Sequence, residues 1–181
     1  MSDSSTSRPE PPQGLDRARD SDLEGREYHP WVRRALLTLL FAIAVAALLN
    51  LFGQASTTRS ASGPAATMSL RGPEHLRGGL LFQVRFTIEA HRAIKTPKLV
   101  LTPGWWDGFQ FNTAEPSPSQ ESTRDGNVVF SFNSLDAGRR LVFWTQWQAN
   151  PTNIERRRQH AIFYDGGTPL AQVDRTVTVF P

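Results

Sequence analysis

The chain has 181 residues, a formal net charge of +3 at neutral pH, 39% apolar residues and no cysteine. The absent cysteine excludes disulfides, thiolate metal sites and cysteine nucleophiles, and the small, dispersed charge argues against a nucleic-acid ligand. This length accommodates one domain of about 100–150 residues plus extensions.

Residues 1–34 contain six Arg and seven Asp or Glu, with prolines and serines and almost no aliphatic side chains. Such a segment cannot bury enough apolar surface to order itself, so it is predicted to be a disordered tail. Elsewhere the basic residues are again almost all arginine, Lys95 and Lys98 being the only lysines, a bias typical of GC-rich bacterial genomes.

From Ala35 to Thr58 there is no charge, and ALLTLLFAIAVAALLNLFG (35–53) is apolar apart from Thr38 and Asn50. At 1.5 Å per residue this run spans about 28 Å as a helix, close to the thickness of a bilayer core. A transmembrane helix is therefore predicted over 35–55. Arg17, Arg19, Arg26, Arg33 and Arg34 precede it while Arg59 and Arg71 follow, which places the N-terminus in the cytoplasm and the C-terminal domain outside. A cleaved export signal is the alternative, since Gly53-Gln54-Ala55 has small-x-small spacing and Arg33-Arg34 opens the apolar run. Thr38, Ala42, Ala46, Asn50 and Gly53 fall on one stripe of the helix, a geometry that permits close contact with itself or another membrane helix.

Residues 56–69 have linker composition, rich in Ser, Thr and Ala. An all-β domain is predicted over 70–181. LLFQVRFTIEA (80–90) alternates with Phe82, Val84, Phe86 and Ile88 on one face, the period of a half-buried antiparallel strand. Further strands are predicted at 97–103, 127–133, 140–148, 160–167 and 170–180, separated by the turn sequences DGN, DAG and DGG, with a weaker edge strand at 68–72. About seven strands in this span fit an immunoglobulin-like sandwich. Its core is expected from the four residues above with Leu99, Leu101, Phe130, Phe132, Ile162, Val177 and Val179.

The strand spacing, GWWDGFQFNTAEPSP (104–118), LDAG (135–138) and NPT (150–152) resemble the membrane-anchored immunoglobulin-like domains of bacterial, especially actinobacterial, surface proteins. The resemblance covers roughly 70–181. It implies architecture and a binding or scaffolding role, and carries no functional residues across.

No catalytic signature is present: there is no G-x-S-x-G, HExxH, P-loop or dinucleotide fingerprint, and His29, His75, His91 and His160 lack metal-ligand spacing. Asp107, Asp125 and Asp165 each precede Gly, where backbone geometry favours Asp in turns. The chain is therefore predicted not to be an enzyme and to need no metal or cofactor. Trp105 and Trp106 stand side by side, and adjacent residues of an extended strand point to opposite faces, so one ring is expected outside. The alternative is that the Gly- and Pro-rich surroundings turn both inward. RLVFWTQWQ (140–148) carries an aromatic on each face, which adds Trp144 to the candidate surface. ERRR (155–158), read as a loop, places Arg156, Arg157 and Arg158 where they suit anionic groups. Partner binding is accordingly expected at Trp105, Trp106, Trp144 and Arg156–Arg158. The predicted function is an anchored extracytoplasmic module that docks an envelope protein, with carbohydrate or wall-polymer binding as the alternative and homo-oligomerisation through the helix stripe also open.

Overall fold

The computed structural model describes residues 29–49 and 54–181, and the chain divides after Leu49 into two compact units. The disordered-tail expectation for 1–28 and the stripe residues Asn50 and Gly53 lie outside the described residues.

Among the described residues the first unit holds one helix, α1 (His29–Leu48). It begins six residues before the expected start, so 29–34 belong to the helix and not to the tail. The prediction stopped at the last charge, whereas the helix incorporates Pro30, whose fixed φ suits a first turn. Arg34 lies 5.4 Å over the Trp31 ring one turn earlier, an i,i+3 contact that helical geometry permits. Pro30–Leu48 is long and apolar enough to cross a membrane, with a mean hydropathy of 1.8. A membrane span and an export signal both fit that description.

The second unit is a β-sandwich, with eleven strands among the described residues. One sheet orders β1 (Ser56–Ser62), β2 (Ala66–Pro73), β4 (Leu81–Ala90), β9 (Arg140–Ala149) and β6 (Phe109–Glu115). The other orders β3 (His75–Arg77), β11 (Thr168–Phe180), β10 (Arg156–Asp165), β5 (Pro97–Leu101), β8 (Asn127–Ser131) and β7 (Gln120–Arg124). All pairings are antiparallel except β3 with β11. The all-β, immunoglobulin-like sandwich preceded by an apolar helix is the architecture the alternating runs predict.

The linker expected at 56–69 is corrected. Ser56–Ser62 pairs with β2 along its whole length, and β2 is an interior strand rather than an edge. A strand whose sole ladder partner lies on one side, made of STTRSAS, has no apolar alternation to read. Its cohesion comes from the ladder and from Arg59, which grips Glu74 with two hydrogen bonds of 2.8 and 3.1 Å. The short strands β3, β6 and β7 were likewise not anticipated, and β7 is exposed at every position.

The core follows the β4 alternation: Val84, Phe86 and Ile88 are fully buried and face Leu99, Leu101 and Phe130 across the sandwich. Ile162 is corrected, because register on β10 turns Ala161 and Phe163 inward and leaves Ile162 half-buried on the outer face. Phe132 packs only at the edge of the core. In place of a disulfide the centre holds aromatic rings, with Trp147 about 5 Å from both Trp106 and Phe111 and 5.7 Å from Trp105. The buried indole N–H of Trp147 donates to Thr145 Oγ1 at 2.8 Å, and that hydroxyl donates to the Val84 carbonyl at 3.3 Å. A core polar group therefore remains satisfied without water.

Candidate functional site

Where the paired tryptophans go is decided by the turn that holds them. Pro103–Trp105 forms a single 3-10 turn, so consecutive side chains are not thrown to opposite faces as on a strand. Gly104 lets this turn lie against the Arg158 carbonyl, where a Cβ would collide. Trp105 is completely buried, donates its indole N–H to the His160 carbonyl at 2.9 Å and takes the Arg175 guanidinium on its face at 4.6 Å. Trp106 packs half-buried against Trp147 and Phe111. The expectation that Trp105 binds a partner is therefore corrected: it has no surface to offer. Both rings turn inward, with Trp106 only partly covered.

The arginine run resolves the other way. It lies on β10 and not in a loop, so strand alternation separates its members. Arg157 turns toward the tryptophan loop and ion-pairs with Asp107 at 3.1 Å and Glu155 at 2.6 Å. Asn153 adds a hydrogen bond from its side-chain amide to the Gly108 carbonyl. Arg157 is thus a staple between two loops, and its assignment to partner binding is corrected on that ground. Arg156 and Arg158 point out of the sheet, two residues apart and so roughly 7 Å from each other along the strand, and neither has an ion-pair partner among the described residues.

The register of β10 with β11 sets Arg156 opposite Thr178, Arg158 opposite Thr176 and His160 opposite Asp174. Beyond β11 rise His75 and the Glu74–Arg59 pair. Together they enclose a polar cleft of about 510 Å³ lined by four arginines and only two carboxylates. Both carboxylates are occupied. Glu74 is held below the usual carboxylate range by the hydrogen bond from Arg59, and Asp174 is lowered by its contacts with His160, at 2.8 Å, and Gln172.

Arg175 supplies the charge behind the cleft and is the residue that sequence reasoning missed. Its position within TVTVF-like alternation puts it on the inner face, where it is 4% exposed. Burial pushes its pKa down to about 9, still above neutrality, so it remains a cation. Its Nε donates to Gln159 Oε1 at 2.8 Å, Gln159 in turn donates to the Gly104 carbonyl at 3.1 Å, and Nη2 has no partner among the described residues. Gly72 leaves room for it: a Cβ there would stand 2.9 Å from Nη1. The inward parity of Arg175 between Val173 and Val177 is the signal that would have found it.

Trp144 stands apart from this cleft. It lies on the outer face of the five-stranded sheet, 40% exposed, with Arg85 at 5.2 Å over its ring. The tryptophan and arginine candidates therefore do not form one surface. On α1, Thr38 donates its hydroxyl to the Arg34 carbonyl, and Ala42 is exposed while Ala46 is partly covered. Among the described residues no group of three His, Asp or Glu gathers as metal ligands would.

No protein-family model matches the chain, and neither does any curated protein. Among solved structures it is similar to a CARDB domain from Pyrococcus furiosus, crystallised with di-metal ions, at 11% identity and a TM-score of 0.44 over 66% of this chain and 92% of that one. It is also similar to a non-cellulosomal cohesin from Archaeoglobus fulgidus, with 13% identity, a TM-score of 0.41 and coverage of 69% and 92%. A third similarity is to the human F-spondin reeler domain, at 12% identity and a TM-score of 0.42, covering 62% and 88%.

Proposed function

We propose that this chain is a membrane-anchored, non-catalytic binding module that holds its β-sandwich outside the cytoplasm and docks an envelope protein through an acidic segment of that partner. The observation that carries the reading is the cleft at β10 and β11: Arg156 and Arg158 project side by side without counter-charges among the described residues, over the buried cation of Arg175. Two guanidiniums at strand spacing match carboxylates two residues apart on one face of an extended acidic peptide, since each presents a planar donor fork. The apolar helix and the arginine excess on its N-terminal flank support the anchored topology. Thr38, Ala42 and Ala46 offer a close-packing stripe for a second helix, through which the chain would pair with itself or a neighbour.

The test places a photo-crosslinking residue at Thr176, on the cleft floor, in cells. The expected result is a discrete protein adduct that disappears in Arg156→Glu/Arg158→Glu, a variant whose altered side chains are exposed and so leave the fold intact. An adduct unchanged by that double charge reversal, or none at all, would sink the reading.

A further inference from the structure

The outer face of the five-stranded sheet carries groups of a different chemistry. One row of register partners crosses it, from Arg71 on β2 through Arg85 on β4 and Trp144 on β9 to Glu115 on β6. Trp144 is the one exposed tryptophan of the sandwich among the described residues. Neither Arg71 nor Arg85 has an ion-pair partner among those residues, and Arg85 Nε is buried with no hydrogen bond. The next row is amide: Gln83 and Gln146 are register partners, as are Gln110 and Gln148 further along.

Two depressions follow these rows. One, of about 150 Å³, is lined by Ser56, Arg71, Gln83, Arg85 and Trp144. The other, of about 340 Å³, shares Ser56 and Gln83 with it and is lined further by Gln54 and Gln146 on its polar side and by Pro73, Leu81 and Phe82 on its apolar side. An indole beside the Gln83 amide, the Ser56 hydroxyl and two guanidiniums differs from a protein hot spot, where the anchoring ring sits in a desolvated apolar pocket. Side-chain amides present a donor and an acceptor together, the match for vicinal hydroxyls, while an indole offers a broad face to an apolar ring surface. Unpaired guanidiniums at the same place call for a carboxylate.

We propose that this strip binds a glycan containing a carboxylated sugar. The C–H face of one pyranose lies on the open part of Trp144, its carboxylate meets Arg71 and Arg85, and its hydroxyls meet Gln83. The adjoining depression takes the next sugar of the chain, against Gln146. This surface is independent of the arginine cleft, which faces outward from the opposite sheet.

The full-length chain, held in lauryldimethylamine oxide micelles because that detergent has no sugar headgroup, is titrated by calorimetry with three probes. These are tetragalacturonate, the disaccharide of N-acetylglucosamine and N-acetylmuramic acid, and uncharged maltotetraose. Saturable binding of at least one acidic probe is expected, at least tenfold tighter than maltotetraose. It should be lost in Trp144→Ala and weakened at least fivefold in Arg71→Gln, with both variants keeping the wild-type unfolding midpoint. The first two probes separate a ring carboxylate from an ether-linked one. Arg156→Glu/Arg158→Glu should bind all probes as the wild type does. Absence of saturable binding by both acidic probes, equal or tighter binding of maltotetraose, or undiminished binding by Trp144→Ala overturns the proposal.

Discussion

The paired tryptophans make a sharp stability prediction, because two adjacent residues of one type sit in unequal environments. In Trp105→Phe the domain loses a fully buried five-membered ring and the hydrogen bond to the His160 carbonyl. The bond contributes about 0.5–1.5 kcal/mol net. That carbonyl also accepts from the Thr102 N–H at 3.2 Å, so it is not orphaned and adds no separate desolvation cost. The vacated volume adds about 1.5–2.5 kcal/mol, judged from the larger truncation series in protein cores. Phenylalanine still presents a ring to Arg175, so most of that cation–π contact survives. The total for Trp105→Phe is thus about 2–4 kcal/mol. Trp106→Phe removes a ring that is only half-buried and whose indole nitrogen has no partner among the described residues, so its cost is expected below about 1 kcal/mol. Urea denaturation of the full-length chain in micelles, followed by the remaining tryptophan fluorescence, measures both variants by their midpoints at constant slope. Equal losses, or a larger loss in Trp106→Phe, would show that the 3-10 turn does not set the two rings apart as argued.

Gly72→Ala tests the space around Arg175: its Cβ would stand 2.9 Å from Nη1 and 3.1 Å from Val84 Cγ2, an overpacking expected to cost about 1–3 kcal/mol in the same urea assay. Asp165 tests acid sensitivity. Its carboxylate accepts from the backbone N–H groups of Thr96 and Lys95, and its pKa is lowered from 3.8, chiefly by the Thr96 bond. A carboxylate depressed in the folded state contributes stability above its unfolded pKa and loses it as pH falls through the folded one. Stability between pH 5 and pH 3 should therefore fall less steeply in Asp165→Asn than in the wild type, and identical slopes would refute the linkage. Topology is open to labelling because the chain has no cysteine. Ser134→Cys, on an exposed loop, should react with an impermeant maleimide in intact cells and Ser5→Cys should not; the reverse pattern would overturn the proposed orientation.

Legibility in the sequence tracked the source of each element's stability. Strands held by one buried face, such as β4 with Phe82, Val84, Phe86 and Ile88, repeat with period two and can be read directly. Strands held mainly by their ladder cannot: β1 is STTRSAS and β7 is QESTR, neither carrying an apolar alternation. Ile162 failed for a related reason. The run AIF in β10 is apolar at three successive positions, and only its pairing with Val173 and Leu99 neighbours fixes which parity faces the core. The Asp–Gly turns were readable because their chemistry is local: Gly108, Gly126 and Gly166 all adopt positive φ, a region open to glycine at no steric cost.

The candidate surfaces failed to be legible for one common reason, which also explains what they are. Sequence adjacency says that two like residues are near each other; backbone conformation says whether they face the same way. In the tryptophan doublet a 3-10 turn brings both rings inward, and Trp105 becomes the lid under which Arg175 can be buried. In the arginine triplet a strand divides the run, so Arg157 fastens the tryptophan loop through Asp107 while Arg156 and Arg158 are left free to face solvent. These two outcomes depend on each other. The Gly104 approach to the Arg158 carbonyl, the Trp105 bond to the His160 carbonyl and the Arg157–Asp107 pair all join the turn to the same end of β10. The tryptophan loop thus acts on the cleft from behind, by fixing the strand that displays its two outward arginines. Weakening that loop through Asp107→Asn should consequently loosen the cleft without removing any of its lining groups, whereas Trp144, on the other sheet, should be indifferent to it.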